Sequence, residues 1–423
     1  MTNTAVPAAA PAMSASDQDL VAGAAALLQA SGETTSVTLA AVDRMNRGLG
    51  THFELVPQWT AVTVTDPSDR DAAPARIIPA SPTGISMRAV AVLMRTIDQL
   101  GERAAGRTDL AAALGRARKV RPANLWIFLL ACATGAGSLA IIFGAQDATA
   151  VLLAAGSAAL GGAIRRLLGR AHVGPIGQVF AAAFLAGIIG GLAVQADLSS
   201  SLRLIAVCPA MILVPGPHIL NGALDVLALR IPIGFARLGY AAILLLSIGT
   251  GLAVALAIFG TDLPTDPAGR TVPFWLDVTA AAIAAASYPV YFSMPYRLLA
   301  WPVVVGAIAH GLRWWAMSVW GVNIVIGAFL ACLFVGIVLA PIARRLHIPF
   351  AGIGFAAVVS LVPGVFVFRA INALGSLPFG GVDPQLLGGI SDGITALVIV
   401  MAMAVGLAVP MHLYGLLRKE TRP

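Results

Sequence analysis

Cysteine is almost missing from this chain. Cys132, Cys208 and Cys332 each stand alone in an apolar run, far from one another, so neither a disulfide framework nor a zinc-ligand spacing can be drawn from them, and no metal is expected. Charge is scarce as well. Only 11% of the 423 residues are charged against 58% hydrophobic, whereas a soluble domain carries about a quarter charged residues. That balance excludes a water-soluble globule and makes the bilayer the solvent to reason with. The first sixteen residues lack a basic n-region and an apolar h-region, so they do not form a cleaved signal and are expected to be a disordered tail. A formal net charge of +7 would suit nucleic acid. After Arg121, however, the basic residues cluster between apolar runs, where a membrane protein keeps its loops, and no nucleic-acid partner is expected.

What charge there is sits unevenly. Residues 1 to 121 hold 23 of the 47 charged side chains, so a soluble segment precedes a membrane body. Residues 17–121 are expected to form a small α/β domain on the cytosolic side. Thr34 and Ser36 are capping candidates for a helix through Val37 to Leu49, which Gly50 stops. Strand-like runs His52–Val56 and Thr60–Thr65 follow, with a polar loop from Asp66 to about Pro82. Val90, Leu93, Met94, Ile97 and Leu100 then recur at helical spacing between Ser86 and Arg103, and Thr108-Asp109 begins another short helix.

The remainder divides into ten apolar runs: 124–145, 149–164, 174–195, 203–224, 236–260, 273–293, 298–316, 319–341, 350–372 and 390–414. Most approach the roughly 20 residues a helix needs to cross the hydrocarbon core. With both termini cytoplasmic, fifteen Lys and Arg fall on the inner side and four (Arg203, Arg270, Arg313, Arg369) on the outer, the asymmetry expected of a multi-pass inner-membrane protein of bacteria. The two halves echo each other. Gly162-Ala163-Ile164 returns as Gly306-Ala307-Ile308, Ala183-Phe184-Leu185-Ala186 as Ala328-Phe329-Leu330-Ala331, and Leu213-Val214-Pro215-Gly216 as Leu361-Val362-Pro363-Gly364, at offsets of 144, 145 and 148. Five crossings per unit make the second copy enter from the opposite side, so the expected architecture is α-helical and polytopic, ten transmembrane helices as two inverted five-helix repeats. The boundaries read as repeat 1 at 122–260, an external loop at 261–272, repeat 2 at 273–417 and a cytosolic tail at 418–423. Gly187 and Gly191, four apart on one face, read as plain close packing.

The fourth and ninth runs carry Val214-Pro215-Gly216-Pro217-His218 and Val362-Pro363-Gly364. Proline lacks an amide hydrogen and clashes with the preceding turn, so both helices should kink or unwind. Each break would create a half-helix amino terminus whose free amides favour a substrate carboxylate. Polar side chains follow both breaks: His218, Asn221 and Asp225 in one half, Arg369 and Asn372 in the other. With Pro215, Gly216, Pro363 and Gly364 they are the expected substrate site. An aspartate at membrane depth costs roughly 2.5–3.5 kcal/mol, so Asp225 either pairs a substrate ammonium or carries a coupling proton there, or sits at the cytoplasmic interface beside Arg230. His218 is the second proton candidate. His310, Asp277, Asn323 and Asp392 show no spacing that singles them out.

These residues resemble the threonine/serine exporter family over nearly the whole chain. Ala30-Ser31-Gly32-Glu33-Thr34-Thr35-Ser36-Val37 with Arg47-Gly48-Leu49-Gly50 looks like the opening of that family's amino-terminal domain. Val214-Pro215-Gly216 with Asn221, Asp225, Gly234 and Arg237, then Val362-Pro363-Gly364, is the more specific match. The resemblance implies export of threonine and serine driven by the proton gradient, with no cofactor. Relatives that export a dicarboxylate keep succinate open as an alternative substrate, for which Arg369 would matter more than Asp225. A membrane-anchored enzyme acting through Glu33, Asp43, His52 and Glu54 has no nucleophile motif, metal spacing or phosphate loop behind it. A regulatory role for the amino-terminal domain and a homo-oligomer are left open.

Overall fold

The computed structural model describes residues 16–67, 75–145, 147–198, 202–260, 272–380 and 384–420. The expected tail before residue 16, nearly all of the 261–272 loop and residues 421–423 lie outside them.

The amino-terminal part begins with a helix that the sequence pattern did not suggest, α1 (Asp17–Ala30). Its middle, from Leu20 to Ala26, is buried all round, so it carries no amphipathic period to read. Helix α2 (Thr35–Leu49) starts where expected: Thr34 accepts a hydrogen bond from the Val37 amide, and Gly50 ends it at φ +71°, the left-handed conformation that glycine adopts without strain. Strands β1 (Glu54–Pro57), β2 (Ala61–Thr65) and β3 (Arg76–Pro79) form an antiparallel sheet in that order. Leu55 stands opposite Val64, and Val62 opposite Ile78. β3 falls within the stretch expected to be loop. Helices α3 (Met87–Gly101) and α4 (Arg107–Arg118) complete the layer, and Val21, Leu28, Met45, Val62, Leu93 and Leu110 lie in its own apolar core.

Among the described residues twelve further α-helices follow: α5 (Leu125–Ile142), α6 (Ala148–Arg170), α7 (Pro175–Gln195), α8 (Leu202–Met211), α9 (Gly216–Leu227), α10 (Ile231–Ile258), α11 (Phe274–Tyr291), α12 (Ala300–Ser318), α13 (Ile324–Leu346), α14 (Phe350–Val358), α15 (Gly364–Gly380) and α16 (Pro384–Glu420). Among the described residues six are long and apolar enough to cross a membrane: α5, α6, α7, α10, α13 and most of α16. The number rises to eight if each of two bent pairs is one span. Helices α11 and α12, which carry Asp277 and then His310 and Arg313, are not among them. The chain is a multi-pass helical membrane protein.

The bent pairs are α8 with α9, meeting at 55°, and α14 with α15, meeting at 74°. The prolines and glycines of the two breaks stand at the bends, and the two bends interlock. A Cβ on Gly216 would run into the Phe355 ring of α14, and one on Gly364 into the Met211 side chain of α8. The arms beyond the breaks cross over as well. Leu220 and Leu224 of α9 belong to a core supplied mostly by α11 to α14 and α16, with Phe128 and Cys132 of α5. Phe368 of α15 belongs to the core formed by α5 to α8 and α10. Glycines let the outer helices approach closely: Gly187 of α7 faces Ala255 and Leu252 of α10, and Gly336 of α13 faces Pro410 and Gly406 of α16.

Candidate functional site

Asp225 is the centre of a buried polar cluster. Helix α9 sets it one helical turn beyond Asn221, on the face turned toward α10 and the α1–α2 loop. Only 2% of Asp225 and 1% of Arg237 are exposed. Asp225 Oδ2 lies 3.2 Å from Arg237 Nε, and Oδ1 lies 3.6 Å from Arg230 Nη1. A bare carboxylate buried this fully would be costly. Two guanidinium groups offset that cost.

The third wall comes from the other end of the chain. The loop between α1 and α2, with the first turn of α2, sets residues 32–36 (the 32–36 loop) against α9 and α10. The Thr35 hydroxyl donates to Asp225 Oδ2 at 2.9 Å and accepts from Arg237 Nη2 at 3.3 Å. Asn221 Nδ2 donates to the Gly32 carbonyl at 3.1 Å, and Arg230 Nη1 donates to the Ser36 hydroxyl at 2.8 Å. Thr34 and Thr35 are buried with them. Nearby, Trp59 from the turn between β1 and β2 packs on Tyr240, and His218 meets the same ring edge-on, both with centroids 5.2 Å apart.

Besides Arg237 Nε, which lies beside Asp225 without a hydrogen bond to it, two atoms in this cluster are buried without a hydrogen-bond partner, Arg237 Nη1 and Asn221 Oδ1. One donates and the other accepts. Buried polar atoms of this kind carry a desolvation cost unless a partner is supplied. A zwitterion has the complementary groups: a carboxylate for the guanidinium and an ammonium for the amide oxygen and Asp225.

The amino-terminal layer grips both halves of the membrane body. Beyond the contacts to α9 and α10, the Met87 amide donates to the Phe292 carbonyl at 3.2 Å, and the Met87 side chain packs against Gly352. His347 Nε2 lies 2.7 Å from Asp98 Oδ2. Movement of one half relative to the other would have to alter these contacts.

Glu33 makes the loop sensitive to pH. Burial pushes its carboxyl up to about 7, although the Thr34 amide bonded to it at 2.7 Å and the charges of Arg44 and Arg237 pull the other way. Released into water, the carboxyl returns to about 4.5. The docked loop therefore holds its proton where the free loop has lost it. Docking is strongest below pH 4.5, weakens as pH rises toward 7, and is level above that. Between pH 8 and pH 6 the docked state should gain about tenfold. Hydrogen-exchange protection of the 31–36 amides, corrected for intrinsic rates, should follow that course in the wild type and flatten in Glu33→Gln.

Other expected site residues fare differently. The amides after the first break are not free: Gly216 N donates to the Val214 carbonyl, and His218 N and Ile219 N both donate to that of Pro215. At the second break Gly364 N donates to the Val362 carbonyl and Val367 N to that of Pro363, while no such bond is seen from Val365 N or Phe366 N. The tight turn at the first break satisfies the donors that were expected there to await a carboxylate. Arg369 is held by Asp392 of α16 at 3.0 Å. The side chain of Asn372 lies outside the described residues. Asn323 caps α13 through the Ile326 amide. Arg237 was named from sequence only as part of the family match, and nothing in the pattern marked Gly32, Thr35 or Ser36 as partners of Asn221, Arg237 and Arg230. Asp277 and His310, unremarkable by spacing, form a buried pair.

Comparison with known proteins is consistent across both halves. Residues 19–259 match the family model described as "Putative threonine/serine exporter", and residues 277–413 match the model described as "Threonine/Serine exporter, ThrE". No solved structure matches.

Proposed function

The chain belongs to the threonine/serine exporter family, and from that premise we propose that it exports threonine and serine across the bacterial inner membrane against a returning proton. The observation that carries this reading is the cluster around Asp225: a carboxylate and a guanidinium, buried side by side, with a threonine hydroxyl between them. Thr35 stands where the side-chain hydroxyl of a substrate would stand. When the 32–36 loop withdraws, a free hydroxy amino acid replaces it, with its carboxylate on Arg237 and Arg230 and its ammonium on Asp225 and Asn221 Oδ1. The peptide segment and the substrate compete for one set of groups.

In this reading the amino-terminal α/β domain lies on the cytoplasmic face, and its loop is the inner gate. The ten crossings are the six long helices, the two bent pairs as single spans, and α11 with α12. Matching lengths of α5 and α11, 18 residues each, and the like-placed glycine contacts of Gly187 and Gly336 support two inverted repeats. The crossed arms of α9 and α15 support a site shared between them, which such repeats can open to either side. Each proton returning inward supplies about 2.3 kcal/mol per 100 mV of membrane potential.

The dicarboxylate alternative relied on Arg369, and its charge is engaged by Asp392. Equilibrium binding to the purified protein separates the two. Labelled threonine should bind, unlabelled serine should displace it, and succinate should not. Displacement by succinate with no effect of serine would transfer the site to the dicarboxylate reading.

A further inference from the structure

A second polar cluster lies far along the chain from Asp225, where α11, α12 and the 3-10 turn Val359–Leu361 meet. His310 of α12 is 2% exposed. Its Nε2 lies 2.9 Å from Asp277 Oδ2 of α11, and its Nδ1 lies 2.9 Å from the Ser360 hydroxyl. Ser360 itself belongs to the 3-10 turn that ends at Val362-Pro363-Gly364. The imidazole thus bridges a buried carboxylate to the segment that leads into the second break.

This bridge borders a cavity of about 150 Å³, lined by Asp277, His310, Arg313, Trp314, Met317 and Ser318. Such a volume holds several waters where its walls are polar, so the pair is open to proton exchange although it is buried. Arg313, one turn along α12, turns a guanidinium toward the same space, with its Nε unbonded. From α13, Cys332 lies within electrostatic range of Arg313. Asp277, His310, Arg313 and Cys332 are the ionisable groups facing one another here.

We infer that His310 and Asp277 form the site of the coupling proton, and that Ser360 reports its occupancy to the second break. The inference rests on the proposed proton-coupled export. Neutral His310 donates through Nε2 to Asp277 and accepts at Nδ1 from the Ser360 hydroxyl. A proton arriving from the cavity settles on Nδ1, and the imidazolium then donates from both nitrogens. The Ser360 hydroxyl must turn from donor to acceptor. One proton binds, no bond to carbon forms or breaks, and the hydrogen bond that holds the 3-10 turn reverses its sense. Asp277 stands on the other side of the ring as its counter-charge, and Arg313 lines the same cavity.

The test separates exchange from accumulation in proteoliposomes loaded with labelled threonine. Exchange of internal for external threonine needs no net proton movement, whereas accumulation against a gradient does. His310→Gln and Asp277→Asn are expected to exchange within about threefold of wild type, to lose accumulation, and to show exchange that no longer varies with pH. Ser360→Ala keeps both titrating groups and should lower the accumulation ratio while leaving the pH profile in place. Gradient-driven accumulation at the wild-type level in His310→Gln would overturn the assignment. So would loss of all exchange in His310→Gln protein that melts like wild type, because that makes the pair part of the path or the packing. Wild-type protein that exchanges threonine but never accumulates it would instead remove proton coupling itself, a distinct failure.

Discussion

Asp225→Asn is expected to reduce threonine transport to the level of empty vesicles, a loss on the order of a hundredfold or more. The variant removes the carboxylate proposed to bind the substrate ammonium and also strips Arg237 of its counter-charge. Arg237 is 1% exposed, and breaking a buried ion pair by deleting one partner costs about 3–5 kcal/mol. Lower thermal stability should therefore accompany the lost transport. The double variant Asp225→Asn with Arg237→Gln separates the two effects, since removing both charges relieves the unpaired guanidinium. It should melt close to the wild type and still fail to transport. Wild-type rates in either variant would take Asp225 out of the site.

Linking the amino-terminal loop to α9 and α10 is the second large effect. Ser36 and Arg230 are hydrogen-bonded at 2.8 Å across that boundary. Cysteines at both positions, joined by a short reducible bifunctional thiol reagent, should hold the loop over the site. Transport should fall to background on linking and return on reduction to the level of the Arg230→Cys single variant. The three native cysteines are buried, so they compete little for the reagent, and each single-cysteine variant serves as its control. Undiminished transport by the linked protein would mean that the loop does not gate access, whatever it contacts here.

Local chemistry made some of this legible from sequence. Thr34 and Gly50 mark the ends of α2 because capping is decided within a few residues, and the proline-glycine pairs at 215 and 363 mark the two bends for the same reason. β3 was hidden by its shortness: four residues ending in Pro79 on the edge of a sheet look like loop. α1 was hidden by burial on every side. The site itself depends on distance in sequence. Asp225 could be picked out as a charge in an apolar run, but Thr35 is 190 residues away and His310 lies 50 residues before Ser360. No spacing rule joins such partners. The correction at the first break was also physical. Proline was expected to leave amides free for a carboxylate, whereas the turn there bonds Gly216 N and His218 N internally, leaving Arg237 as the better anion partner in that half.

Uptake of labelled threonine into inside-out membrane vesicles, with and without an imposed proton gradient, tests the central claim most directly. Accumulation that requires the gradient, is competed by unlabelled serine and disappears in the Asp225→Asn, Arg237→Gln double variant is the expected result. Equal uptake with and without the gradient, or accumulation of succinate in place of threonine, would contradict it.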